Sequence, residues 1–219
     1  MKTASVKTQI HHEITRFPDF PAAKAAVLWR NAPSDSEEMI CDLFLLPFEE
    51  KIGDAEIAFT ESLTLFFLSR LVRDELKNGA VFSEKEAVLY GDYLFTLAVA
   101  ALPKSEDEES ALSLMKTVKT HLERRAAHKK EEYSETAAAA DWGEMIRDLA
   151  VRAASQAERN KEEQEAYAAL GAALGALWGA LYETGSASSS LYAEIEAKAE
   201  NCPFGAKLAT YAEKWRDQR

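Results

Sequence analysis

Residues 54–77 read DAEIAFTESLTLFFLSRLVRDELK. Phe59, Leu63, Phe66, Leu71 and Asp74, with Phe67 beside Phe66, recur at the three-to-four spacing that places them on one stripe of a long helix. Gly79 follows as a helix stop. Ser83, with Glu86 three residues on, is a capping box that opens a second helix. That helix carries Ala87, Tyr90, Leu94, Phe95 and Ala98 on its apolar face, and Pro103 closes it. Two apolar helices joined by a short loop are the seed of a helical bundle.

The same pattern continues downstream. A second capping box, Ser105 with Glu108, predicts a helix bearing Ala111, Met115, Val118 and Leu122. Another holds Trp142, Ile146, Leu149 and Ala153. From Ala166 to Tyr182 there is no charge, and Gly171, Gly175 and Gly179 recur every fourth residue. Such spacing is also that of a transmembrane packing face. The stretch is short for a span and only weakly hydrophobic, so a helix buried on all sides in a bundle is the expectation. Gly185 to Ser190 is a link into two shorter helices, the second led by Pro203 and carrying Leu208, Tyr211 and Trp215. Upstream, Pro18, Pro21, Pro33 and Pro47 divide the first fifty residues, with a helix expected from Ala22 to Asn31. No segment alternates with period two.

These readings predict an all-α fold in a single helical domain over 1–219, a bundle of about eight helices. It comprises irregular N-terminal helices (1–50), a core (54–186) and C-terminal helices (187–219). The N-terminal stretch, Ala137 to Ala140 and the Ser-rich link are the expected mobile segments.

A chain of 219 residues buries roughly 70% of its unfolded surface. Its formal net charge of -11 argues against nucleic acid and against a bare anionic membrane as partners. The N-terminus has no apolar run of the signal-peptide kind. Cys41 and Cys202 lie far apart, outside any CxxC motif, and are expected to be reduced thiols in a cytoplasmic protein.

Sites of chemistry are sparse. His11, His12, His121 and His128 do not have the spacing of three or four convergent metal ligands, and exposed side chains are expected. GxSxG, P-loop and GxGxxG motifs are absent from the sequence. Arg124, Arg125, Lys129 and Lys130 are flanked by Glu123, Glu131 and Glu132, which predicts a solvated helix face of i,i+4 pairs.

The helix pair itself is more telling. The first helix ends Leu71-Val72-Arg73-Asp74-Glu75-Leu76-Lys77-Asn78, and the second contains Gly91-Asp92-Tyr93-Leu94-Phe95. This layout resembles the trans-polyprenyl diphosphate synthase family, in which a helix ends in DDxxD and a Gly-Asp-Tyr/Phe-Leu-Phe-like stretch follows. The resemblance extends to Gly171-Ala172-Ala173-Leu174-Gly175, similar to the family helix that leads into its second DDxxD. It covers about Asp54 to Ser186. It implies the isoprenoid synthase bundle, here shortened at the C-terminus.

The departures from the family pattern all remove charge of the needed sign. Family catalysis, as the resemblance implies, uses Mg²⁺ held between two aspartate clusters. Here the first is degenerate, with Asp74, Glu75 and Asn78, and Lys77 beside them. The second is degenerate too, with Tyr182 and Glu183. Asp148 stands where the family has a diphosphate-gripping lysine. Magnesium needs several oxygen ligands, and without it the charge on a leaving diphosphate is uncompensated. The expectation is therefore no catalytic residue, no metal and no cofactor in this chain. The resemblance is strongest to the small component of two-component heptaprenyl diphosphate synthases. It implies a non-catalytic subunit that pairs with a catalytic, Mg²⁺-binding polyprenyl diphosphate synthase subunit in menaquinone side-chain synthesis. The isoprenoid tail of the product is a further contact this would allow. The expected partner surface is the Ile57 to Val72 helix together with the Val88-Asp92-Phe95-Val99 side of the next. Two other readings stand beside it: a helical interaction domain, and a divergent prenyltransferase or terpene-synthase-like enzyme using Asp74 and Glu75.

Overall fold

The computed structural model describes residues 8, 12, 24, 27–29, 32–48, 51–78, 81–101, 108–127 and 134–217. Among them the regular structure is helical and there is no strand. In order they are α1 (Ser36–Leu45), a 3₁₀ turn (Leu46–Phe48), α2 (Asp54–Asn78), α3 (Glu84–Ala101) and α4 (Glu108–Ala127). Then come α5 (Glu135–Gln156), α6 (Lys161–Thr184), α7 (Ser189–Ala199) and α8 (Gly205–Asp217). Lys24 and residues 27–29 are helical, and the rest of the expected Ala22–Asn31 helix lies outside the described residues, as does Ser105. The chain's contacts group into two compact units, 1–45 with 50–108, and 46–49 with 109–219.

In the first unit α2 is central. Every side chain from Ala58 to Ser69 is buried, polar ones included. This corrects the sequence expectation that the Ile57–Val72 helix offers a face to a partner. The polar side chains are accommodated by local bonding. Thr60 and Thr64 donate to the carbonyls four residues back, at 2.9 Å each. Ser62 donates to the Ala98 carbonyl and Ser69 to the Gly91 carbonyl, both at 2.7 Å, and these bonds tie α2 to an antiparallel α3. Phe59 meets Phe44 of α1 edge-on, and Phe66 meets Phe95 of α3 in the same way. Phe44, Phe59 and Phe66, each buried, contribute about 1.5–3 kcal/mol apiece.

The predicted cap of α3 is formed: the Glu86 carboxylate accepts from the Ser83 backbone N–H at 2.9 Å and from its hydroxyl at 2.8 Å. Lys24 Nζ also donates to Glu86 at 2.8 Å. Together, Lys24 first and Ser83 second, they lower the Glu86 pKa from 4.5 to about 2. A folded-state pKa below the unfolded one gives a contribution that is full above about pH 4.5 and lost as pH falls toward 2. NMR titration of the side-chain carboxyl should therefore show Glu86 ionised well below ordinary glutamates, and Lys24→Ala should move its midpoint upward. An unshifted midpoint in the wild type would remove the ion pair from this account.

The second unit is built on the α5–α6 pair. Trp142, Ile146, Leu149 and Ala153 of α5 are buried as predicted. Gly171, Gly175 and Gly179 let the two backbones approach closely. A Cβ at Gly175 would lie 2.7 Å from both the Trp142 carbonyl and the Ile146 Cβ, and one at Gly179 would lie 2.5 Å from the Trp142 ring. The glycine ladder is thus a packing seam inside a bundle. Among the described residues no helix is long and apolar enough to cross a membrane.

Asn160 and Glu163 cap α6 reciprocally, and Gly185, at φ 71°, ends it. Ala137 to Ala140, expected to be mobile, instead form part of the first turns of α5, capped by Ser134, with Ala138 fully buried. Arg159 donates from two nitrogens to the Pro47 carbonyl, at 2.7 and 2.5 Å, and lies over the Phe204 ring. Leu208, Tyr211 and Trp215 pack the buried face of α8. Cys41 and Cys202 are buried and not disulfide-bonded, and burial pushes the Cys202 thiol pKa up.

Candidate functional site

The first acidic place is the C-terminal part of α2. Asp74 is buried, with 6% of its surface exposed, and its carboxylate pairs with Arg70 one turn back at 2.8 Å. The pair is an i,i+4 contact within one helix, and it neutralises the only carboxylate of this motif whose side chain is described. Glu75 and Asn78 belong to the helix, but their side chains lie outside the described residues.

The Gly-Asp-Tyr-Leu-Phe stretch sits in the middle of α3 and serves α2. Gly91 is buried, and a Cβ there would stand 2.5 Å from Arg73 Cγ. Glycine at this position makes room for the Arg73 stem. The guanidinium then reaches Asp92 at 2.6 Å and lies 5.6 Å from the centre of the Phe95 ring. Leu94 is fully buried, and Tyr93 and Phe95 are half-buried. Val88, Leu89 and Val99 point outward, 47%, 55% and 38% exposed, on the face that also carries Asp92. An apolar helix with one open side is the part of this unit suited to contact something else.

The second acidic place, at the end of α6, is occupied by aromatic packing. Tyr182 stacks on Trp178 with ring centres 4.8 Å apart, and Trp178 meets Trp142 at 4.6 Å. Glu183 accepts a hydrogen bond from Trp142 Nε1 at 3.2 Å. The only carboxylate of this motif is therefore engaged by an indole N–H.

Asp148, in the place of the family lysine, is exposed on α5 at the rim of a cleft of about 150 Å³ that Lys116, Thr120 and Arg124 of α4 also line. Arg124 is paired with Glu144 across that cleft. His121, expected to be exposed, is 2% exposed: its ring lies 4.6 Å from that of Trp142, and Nδ1 is 3.3 Å from the Asp141 carbonyl oxygen. His12 is exposed, while His11, His128, Lys129 and Lys130 lie outside the described residues. Among the described residues no three His, Cys, Asp or Glu side chains gather as metal ligands.

Sequence reasoning identifies Asp74, Gly91, Asp92 and Glu183 but misses their partners. Arg70 is legible, since it stands four residues before Asp74 on the same helix. Trp142 is 41 residues from Glu183, and no local signal joins them.

No protein-family model and no curated protein sequence matches this chain. Among solved structures it is similar to a chain of a mint heterotetrameric geranyl pyrophosphate synthase, a deletion mutant in complex with ligands. The likeness has a TM-score of 0.65 at 15% identity and covers 96% of both chains. The chain therefore has the all-α fold of the isoprenoid synthases.

Proposed function

We propose that this chain is a non-catalytic subunit of a heteromeric polyprenyl diphosphate synthase. In its finer form the proposal is the small component of a heptaprenyl-type synthase in menaquinone side-chain synthesis. A cytoplasmic location and a single domain over 1–219 belong to the same reading. The observation that carries it is the fate of the two acidic places. Each offers one described carboxylate, Asp74 and Glu183, and each is bonded within its own unit, to Arg70 and Trp142. Magnesium is held in near-octahedral array by carboxylate oxygens together with water and phosphate, and among the described residues neither place offers a second carboxylate beside the one already bonded. The metal and the chemistry are assigned to a partner subunit that keeps both aspartate clusters.

The role left to this chain is to shape its partner. The α3 stripe of Val88, Leu89 and Val99 is the docking face. Packed on the equivalent surface of the catalytic subunit, it sets how far the isoprenoid tunnel can extend, and product length becomes a property of the pair. The similar mint chain comes from a heteromeric synthase, which supports a heteromeric arrangement.

The test is co-expression with the two-motif polyprenyl diphosphate synthase of the same organism. A stable complex is expected, with a product length differing from that of the partner alone. Val88→Asp should weaken the complex at least about thirtyfold, because it places an unpaired carboxylate in the contact. The isolated chain, given Mg²⁺, farnesyl diphosphate and isopentenyl diphosphate, should show no turnover. Turnover by the isolated chain, or failure to form the complex, would overturn the proposal.

A further inference from the structure

At the centre of the exposed α3 stripe stands a charged residue. Asp92 lies four residues after Val88 and seven before Val99, on the same open side, with 65% of its side chain exposed. An isolated carboxylate there would make the stripe a poor surface for dry packing. It is not isolated. Arg73 of α2 reaches across to Asp92 Oδ1 at 2.6 Å. The guanidinium is held by the Phe95 ring beneath it and by the gap at Gly91, where a methyl group would strike its Cγ. Three features of two helices thus place one cation against one anion, and the stripe carries no net charge at its centre.

We infer that the Arg73–Asp92 pair sets the register of the α3 docking face, and that its occupant is the catalytic synthase chain rather than a second copy of this one. The inference rests on the function proposed above. A pair that enters a dry interface intact is tolerated, whereas a lone charge there is not. Asp92 Oδ2 remains available to a donor from outside, so the matching surface is an apolar helix face carrying one basic or N–H donor side chain. A second copy is disfavoured by charge. The chain carries a formal -11, which opposes association of two copies. Arg73 is on this account a positioning residue: it acts through Asp92.

A double-mutant cycle on the co-expressed complex tests this, with affinities from titration calorimetry and thermal melts of each variant to confirm folding. Arg73→Met should weaken association about tenfold or more, because Asp92 enters the interface uncompensated. Arg73→Met with Asp92→Asn should recover most of that loss, which a merely structural role for Arg73 would not allow. If the wild-type complex forms and Arg73→Met binds as well as wild type, or the double variant is no better than the single, the inference fails and the proposed function stands. If the wild-type complex does not form, both fail. A wild-type chain that sediments as a dimer, dissociated by Val88→Asp, would overturn the choice of occupant.

Discussion

Gly175→Val is expected to destabilise the second unit by about 3 kcal/mol, the upper end of the usual cost of overpacking. A Cβ at this position would meet the Trp142 carbonyl oxygen and the Ile146 Cβ, each at 2.7 Å. Real Cβ atoms do not approach this closely. The carbonyl is part of the α5 backbone and cannot rotate away as a flexible side chain would. The helices must move apart, and separating them loosens every contact along the Gly171–Gly179 seam. Replacing glycine removes a helix-interior penalty, but for valine that gain is only a few tenths of a kcal/mol. For a chain of this size a loss of about 3 kcal/mol lowers Tm by about 6–12 °C. Gly185→Ala is the control. A methyl group at Gly185 would meet nothing within 4 Å, so the substitution bears only the cost of a positive φ, about 1 kcal/mol. Equal effects at both positions would mean that α5 and α6 are not packed this closely.

Trp142→Ala should cost about 3–5 kcal/mol, read from urea denaturation as a lower midpoint. The indole is completely buried and touches the rings of His121, Trp178 and Tyr182. Truncation opens a void at the end of α6 and leaves Glu183 without its N–H donor. Trp142→Phe separates the two effects. It keeps most of the apolar volume and loses the donor, so a loss of about 1 kcal/mol is expected from the hydrogen bond, with a smaller share from the missing volume. A Phe variant as unstable as the Ala variant would show that the hydrogen bond, rather than the packing, dominates this site.

The helices with clean three-to-four spacing are legible because one apolar face is all that a helix needs to declare itself. Phe59 through Leu71 define α2, whose expected span of 54–77 is close to the observed one, and Trp142 through Ala153 mark α5, which begins about two turns further upstream. Capping residues do the same for α3 at Ser83. What that spacing does not reveal is whether the opposite face is wet. On α2 the remaining positions, Thr60, Glu61, Ser62, Thr64 and Ser69, are small or polar and suggest solvent or a partner, yet all are buried. The available clue is the run from Ser62 to Ser69, eight residues without a charge. His121 misleads for a related reason: an imidazole in a polar helix looks solvated until the ring it packs on, twenty-one residues away, is known. The two acidic places can be located from sequence, and Arg70 stands one turn from Asp74, but the bond from Trp142 to Glu183 leaves no local signal.

The two serine bonds between α2 and α3 carry a mechanical consequence. Ser62 and Ser69 are seven residues apart, and so are their acceptors, Ala98 and Gly91. Sliding one helix past the other by a single turn would break both bonds together and leave two buried hydroxyls stranded. The pair therefore resists shear as a doubly pinned beam does, and a load applied to the outer helix is transmitted to the inner one without slippage.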